Sequence, residues 1–281
     1  MWKSCVGIFA LSLSRLALAQ QPLPPADQEE IVVHGTRERD QALRQFIKSV
    51  TVAEPNFGQL GRFESPACPY VLGLGQSQDQ MVAARIRQVA DTIGIETGDE
   101  HCNPNVFVIV ADDKRGTVRW IKRHLAGLVV DANGRPIVIP NDDSPATGWH
   151  VRGMKDDFGR ESDFFVIASI ATRIRPMARP HFLASILVVE ARSLTGLTTT
   201  ELADYAAMRA FAQLDPEKLK PPTVPTILNI LDAPMGTAIP LTLTDWDLAF
   251  LHGLYASALN QYAVTQQLEI QRSMRKELDK K

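Results

Sequence analysis

The sequence predicts an α+β chain, a mixed sheet with packed helices and a helical C-terminus. Three observations carry this. Apolar residues recur at helical spacing in several separate windows, and continuous apolar runs of strand length, bounded by turn residues, stand between them. Hydrophobic residues at 45% and charged residues at 22% are ordinary values for a chain that builds a sizeable core.

Residues 1–19 begin with a cation at Lys3 and an apolar run through Val6, Ile8, Phe9, Ala10, Leu11 and Leu13. Ala17-Leu18-Ala19 then precedes Gln20. That order of charge, apolar stretch and small-residue site predicts a cleavable signal peptide and therefore a periplasmic or secreted mature chain. Arg15 inside the apolar run is the one feature against it. No later stretch reaches the roughly 18 uninterrupted apolar residues that a membrane span needs. Residues 20–37 form an expected flexible leader, Gln/Pro-rich and acidic at first. It then reaches the β-prone stretch Glu29-Glu30-Ile31-Val32-Val33-His34-Gly35-Thr36-Arg37. That stretch reads either as an edge strand or extended tail, or as a segment in which Ile31, Val32 and Val33 add a strand to an envelope protein partner.

A single globular α+β domain is expected over residues 38–258. Leu43, Phe46, Ile47 and Val50 mark a helix at about 38–52, and Met81, Val82, Ile86, Val89 and Ile93 one at about 77–95. Val106 to Val110 fits a central strand, and Val118, Ile121, His124 and Leu125 mark the helix after it. Residues 131–148, rich in Asp, Asn, Gly and Pro, predict a hairpin or loop. Strands follow at about 149–154, 163–173 and 183–190. A helix then starts near Thr198 and carries Leu202, Tyr205, Ala206, Met208 and Phe211. Prolines at 216, 221, 222 and 225 predict an irregular connection, followed by a short helix at 226–231 and another at about 245–257. Residues 259–281 are expected to hold an amphipathic C-terminal helix.

Cys5 leaves with the signal, so the mature chain keeps Cys68 and Cys102, both in turn-rich sequence. In an oxidising compartment two such cysteines most simply pair. The other reading is two buried free thiols. Loss of Lys3 and Arg15 with the signal takes the formal net charge from −2 to about −4, which argues against nucleic acid as a partner. No G-x-S-x-G, Walker loop, C-x-x-C, H-E-x-x-H or Gly-rich dinucleotide fingerprint occurs, so no cofactor is implied.

The order of elements resembles the layout of the minimal zincin metallopeptidase domain, over about residues 76–257. Thr200-Glu201-Leu202-Ala203-Asp204 is similar to the zincin H-E-L-x-H helix, with Glu201 at the base position and Thr200 and Asp204 where the histidines belong. Leu243 to Tyr255 resembles the closing helix of matrixin-like zincins. A zincin helix aims two imidazoles one turn apart at one Zn²⁺, while the glutamate polarises the bound water. Here a threonine hydroxyl and one carboxylate stand in. The resemblance therefore implies the scaffold and no metal, and argues against the activity. Residues 29–37 resemble a TonB box, and the whole is similar to exported proteins of Gram-negative bacteria. A plain amphipathic helix is the rival reading of 199–211, with Thr198 or Thr199 as N-cap and Asp204 and Arg209 on its solvated side.

The six histidines have no pair at ligand spacing, although distant ones such as His150 and His181 can still meet in space. Arg173, Arg175, Arg179 and His181 gather in a Pro-broken segment between strands, either as a clamp for a carboxylate or phosphate or as a solvated charge run. The expected function is non-catalytic binding by an exported, envelope-associated protein. The alternative is a divergent, metallopeptidase-like envelope hydrolase using Glu201 with Asp204.

Overall fold

The apolar runs of strand length assemble into one sheet, and the helical windows cover it. The computed structural model describes residues 28–53, 58–99, 101–162, 176–215, 218, 224–233 and 237–280. The expected signal peptide, the strand expected at 163–173, Arg173 and Arg175 lie outside these residues. The five strands are β1 (Arg62–Phe63), β2 (Pro69–Leu72), β3 (Val106–Ala111), β4 (Ala146–Asp156) and β5 (Ala178–Glu190). Six α-helices are described: α1 (Gln28–Val50), α2 (Gln76–Thr92), α3 (Lys114–His124), α4 (Thr199–Phe211), α5 (Asp245–Ala256) and α6 (Ala263–Leu278). The architecture is α+β with a parallel-dominated sheet and a helical C-terminus.

Strand β3 lies between β2 and β5, parallel to both, and β4 runs antiparallel along the other side of β5. Short β1 pairs with β5 at His181 and Phe182, beyond the stretch that β3 occupies. Among the described strands β4 is thus an edge. Strand β5 begins five residues before the expected position 183, so Arg179 and His181 are strand residues and not part of a connecting loop. Neither β1 nor β2 was expected. The sequence around β2 reads as turn because Pro66 and Pro69 flank Cys68.

Most of the core lies on one face of the sheet. Leu43, Phe46, Ile47 and Val50 of α1, Val82, Ile86 and Val89 of α2, and Leu202, Ala206 and Phe211 of α4 are all buried there. Met81 falls about 100° around α2 from that stripe and is half exposed, which corrects its place in the expected apolar face. The opposite face is covered by α3, whose Val118 and Ile121 pack with Trp149, Val151, Ile186 and Val188. His124 and Leu125 end that helix at the surface. Helix α6 buries Ile270 and Met274 against α5. A Cβ at Gly253 would stand 3.1 Å from the Ile270 backbone, so glycine permits that approach.

Residues 38–281 form one compact unit and Met1–Arg37 another. Of the latter, the backbone of residues 28–37 is described, and it is helical where an extended segment is expected. Ile31, Val32 and Val33 each cost a helix only about half a kcal/mol in intrinsic preference, too little to enforce a strand.

Cys68 and Cys102 form the expected disulfide, with Cα atoms 6.0 Å apart. Asn105 supports it: its Oδ1 accepts from the Cys68 N–H at 2.7 Å and its Nδ2 donates to the Pro66 carbonyl at 2.9 Å. The bridge ties the start of β2 to the loop entering β3.

Candidate cleft between the β4 edge and helix α4

Helix α4 begins with a capping box. The Glu201 N–H donates to Thr198 Oγ1 at 3.2 Å, and Glu201 Oε2 accepts from the Thr198 N–H at 2.7 Å. Glu201 is 2% exposed. Asp204, one turn on, is fully buried, which corrects the expectation of a solvated position. Arg85 of α2 donates to its carboxylate through Nε at 2.7 Å and Nη2 at 3.1 Å. Thr242 Oγ1 at 2.6 Å and the Leu243 N–H at 2.9 Å complete the set. The solvated position expected for a carboxylate on this helix is overridden by this tertiary clamp, which joins α2, α4 and the segment entering α5. Sharing Asp204 raises the Arg85 guanidinium above its ordinary value.

Another side of α4 carries Tyr205 and Arg209, one turn apart, toward the edge of β4. Arg209 Nη1 donates to Tyr205 Oη at 2.7 Å, and the guanidinium lies 5.6 Å from the tyrosine ring centroid. Gly148 of β4 makes room for it: a Cβ there would stand 2.9 Å from Arg209 Nη2. Arg209 is partly buried and has no carboxylate partner among the described residues.

The register of β4 decides which backbone groups face this cation. The Glu190 N–H donates to the Pro145 carbonyl, and Ala146 pairs with Val189. By alternation, Thr147, Trp149 and Val151 turn their backbone groups to β5, whereas Ala146, Gly148, His150 and Arg152 turn theirs outward. The Ala146 carbonyl accepts from Ser144 Oγ at 3.0 Å, and the Arg152 carbonyl from the Ala132 N–H at 2.9 Å. Between those closures, the outward N–H and C=O of Gly148 and His150 have no partner among the described residues. They line a cleft of about 480 Å³ together with Tyr205, Arg209, Gln213 and Val138.

Buried Lys114 fixes one end of the cleft. Its Nζ donates to the Asp142 carbonyl at 3.1 Å and to the Ser144 carbonyl, holding the loop against β4. His150 stacks on Phe182 with centroids 4.0 Å apart, and its Nε2 donates to the Ala210 carbonyl at 3.0 Å. Burial pushes this imidazole down to about 4, so it is neutral near pH 7.

His150 and His181 do not converge, and among the described residues no three His, Cys, Asp or Glu side chains form a metal-ligand group. His181 Nε2 meets Glu161 at 3.0 Å, and burial lowers the imidazole against that pull. Arg179 pairs with Glu64 at 2.7 and 3.1 Å and donates to the Asp156 carbonyl at 2.9 Å. Burial pushes the Glu64 carboxyl up, but Arg179 and Lys155 outweigh it and hold it below the ordinary range. Arg179 and His181 are therefore buried strand residues paired with Glu64 and Glu161 and not members of a surface patch. Compared with protein-family models, with curated proteins and with solved structures, the chain matches none of them.

Sequence reasoning singled out α4 and missed the side of it that lines the cleft. A signal exists: Tyr205 and Arg209 stand at i, i+4 on one side of the helix, and Gly148 interrupts a strand.

Proposed function

We propose that the chain is an exported, non-catalytic binding protein of the envelope. On this reading its scaffold resembles a zincin domain without the zinc-binding histidines, and it takes an extended peptide segment of a protein partner onto the edge of β4. The observation that carries the reading is the short open edge at Gly148 and His150, lying in a cleft of about 480 Å³. Two residues with free outward backbone groups offer up to four hydrogen bonds to a backbone laid beside them, the basis of recognition by strand addition. The buried neutral imidazole and Trp149 hold that edge rigid, so the ligand alone loses conformational freedom on binding.

The non-catalytic half of the proposal rests on how Glu201 and Asp204 are used. A base that activates water needs access to it. Glu201 is buried in its capping box, Asp204 is saturated by Arg85, Thr242 and Leu243, and neither lines the cleft.

The test is binding of a random pool of N-acetylated hexapeptides to residues 20–281, with a parallel pool N-methylated at alternate amides. Binding of the first pool and loss of binding in the second is expected. Equal binding of both pools would remove strand addition from the account. Cleavage of the pool that depends on Glu201 would replace binding by hydrolysis.

A further inference from the structure

The cleft is polar in direction as well as in chemistry, and this selects one end of a peptide. We infer that the site recognises the free C-terminal carboxylate of an extended segment, which pairs antiparallel with β4 and ends at Arg209; the inference rests on the peptide-binding reading above.

Three observations lead there. First, the open edge is short. Ser144 closes it at Ala146 and Ala132 closes it at Arg152, leaving Gly148 and His150 between. A strand that passes through has no backbone partners beyond that window, whereas a chain terminus fits it. Second, the cation stands at one end of the window. Arg209 Nη2 lies over Gly148, and its described hydrogen bond is spent on a neutral hydroxyl, that of Tyr205. A partly buried guanidinium without a carboxylate is costly, and its planar fork matches a carboxylate in two-point contact. Third, strand polarity decides which terminus arrives. Strand β4 runs from Gly148 to His150, so an antiparallel ligand runs from His150 toward Gly148 and brings its C-terminus to Arg209. A parallel ligand would bring its N-terminal ammonium against the guanidinium, two like charges in a partly desolvated site.

The rim of the cleft also carries acidic groups. Asp142, Asp215 and Asp232 also line the cleft. Asp142 is engaged by Ser144 and Lys114, and Asp215 by Lys218 at 3.6 Å. Lys114 and Ser144 take up the Asp142 carboxylate at the Gly148 end of the edge, which leaves Arg209 as the charged group there for a ligand carboxylate.

The experiment uses residues 20–281 and fluorescein-labelled hexapeptide pools read by fluorescence polarisation. One pool has free C-terminal carboxylates, a second the same sequences as C-terminal amides, and a third is amidated but carries an internal Asp or Glu. The free-acid pool should bind at least about tenfold more tightly than the amide pool. Arg209→Gln should reduce that preference to less than about twofold, and Arg209→Lys should restore part of it. Thermal melts establish that both variants are folded. In the folded wild type, amide exchange at Gly148 and His150 reports occupancy independently of the variants. Equal binding of acid and amide pools overturns the carboxylate inference and leaves strand addition standing. A preference for the internally acidic pool overturns the assignment to a terminus. No binding by any pool overturns the peptide-binding reading itself.

Discussion

Replacing Asp204 by alanine removes the acceptor of four hydrogen bonds at a fully buried position. Hydrogen bonds to a charged group are each worth about 1.5–3 kcal/mol, yet their sum overstates the loss. Arg85 keeps 33% of its side chain exposed and rehydrates once released, as does the exposed Thr242. What cannot be recovered is the pairing of the buried Leu243 N–H, about 1–3 kcal/mol, together with the link between α2 and α4. The expected net loss is therefore about 3–5 kcal/mol, the orphaned Leu243 N–H together with the net worth of the charge-assisted bonds that are released. Urea unfolding of residues 20–281 at pH 7 gives the value directly. At about 2–4 °C per kcal/mol for a domain of this size, the melting temperature should fall by about 6–20 °C. A variant within about 1 kcal/mol of the parent would refute the structural role and return Asp204 to the candidates for chemistry.

Glu201→Gln should cost no more than about 1 kcal/mol, because the amide still accepts from the Thr198 N–H; urea titration checks this, and a loss above 3 kcal/mol would contradict it. Replacing Cys68 and Cys102 together by alanine should cost about 3–4 kcal/mol, from the 34-residue separation on the chain-entropy model, as measured by unfolding with and without reductant. His150 supplies a pH dependence. Its imidazole falls from 6.5 to about 4 on folding, so between those values the unfolded chain binds a proton that the folded chain excludes. That contribution is complete above pH 6.5 and is lost as pH falls toward 4, about 3 kcal/mol across the window, and His150→Phe should flatten this part of the stability curve. Gly148→Ala should change stability by less than about 1 kcal/mol, since the flexible end of Arg209 can move aside, while weakening peptide binding about tenfold in the polarisation assay.

The helices were legible because their apolar residues repeat at 3.6: Leu43, Phe46, Ile47 and Val50 are buried as a face, as are Val82, Ile86 and Val89. Val106 to Val110 was legible as a strand for the opposite reason, an apolar run covered on both sides by helices. The C-terminal helix could be read in the same way. Strands β1 and β2 could not, because two and four residues are too few to establish a period, and their place is set by β5 and β3. The extended reading of 29–37 failed where a weak β preference met a helical backbone.

The site was half legible. Glu201 and Asp204 were singled out as candidates for chemistry, but local sequence has no access to Arg85, 119 positions away from Asp204. Arg179 looked like part of a surface charge run because its partner Glu64 is 115 positions distant. The cleft depends on Gly148, Arg209 and the register of β4, and register is a property of pairing that no single strand reveals.

Hydrogen exchange at the Gly148 and His150 amides, with and without a saturating free-acid hexapeptide, tests the strand-addition account most directly. Slower exchange at these two amides, with Thr147 and Trp149 little changed because they already pair with β5, is the predicted result. A peptide that binds tightly while Gly148 and His150 exchange at their unbound rates would contradict it.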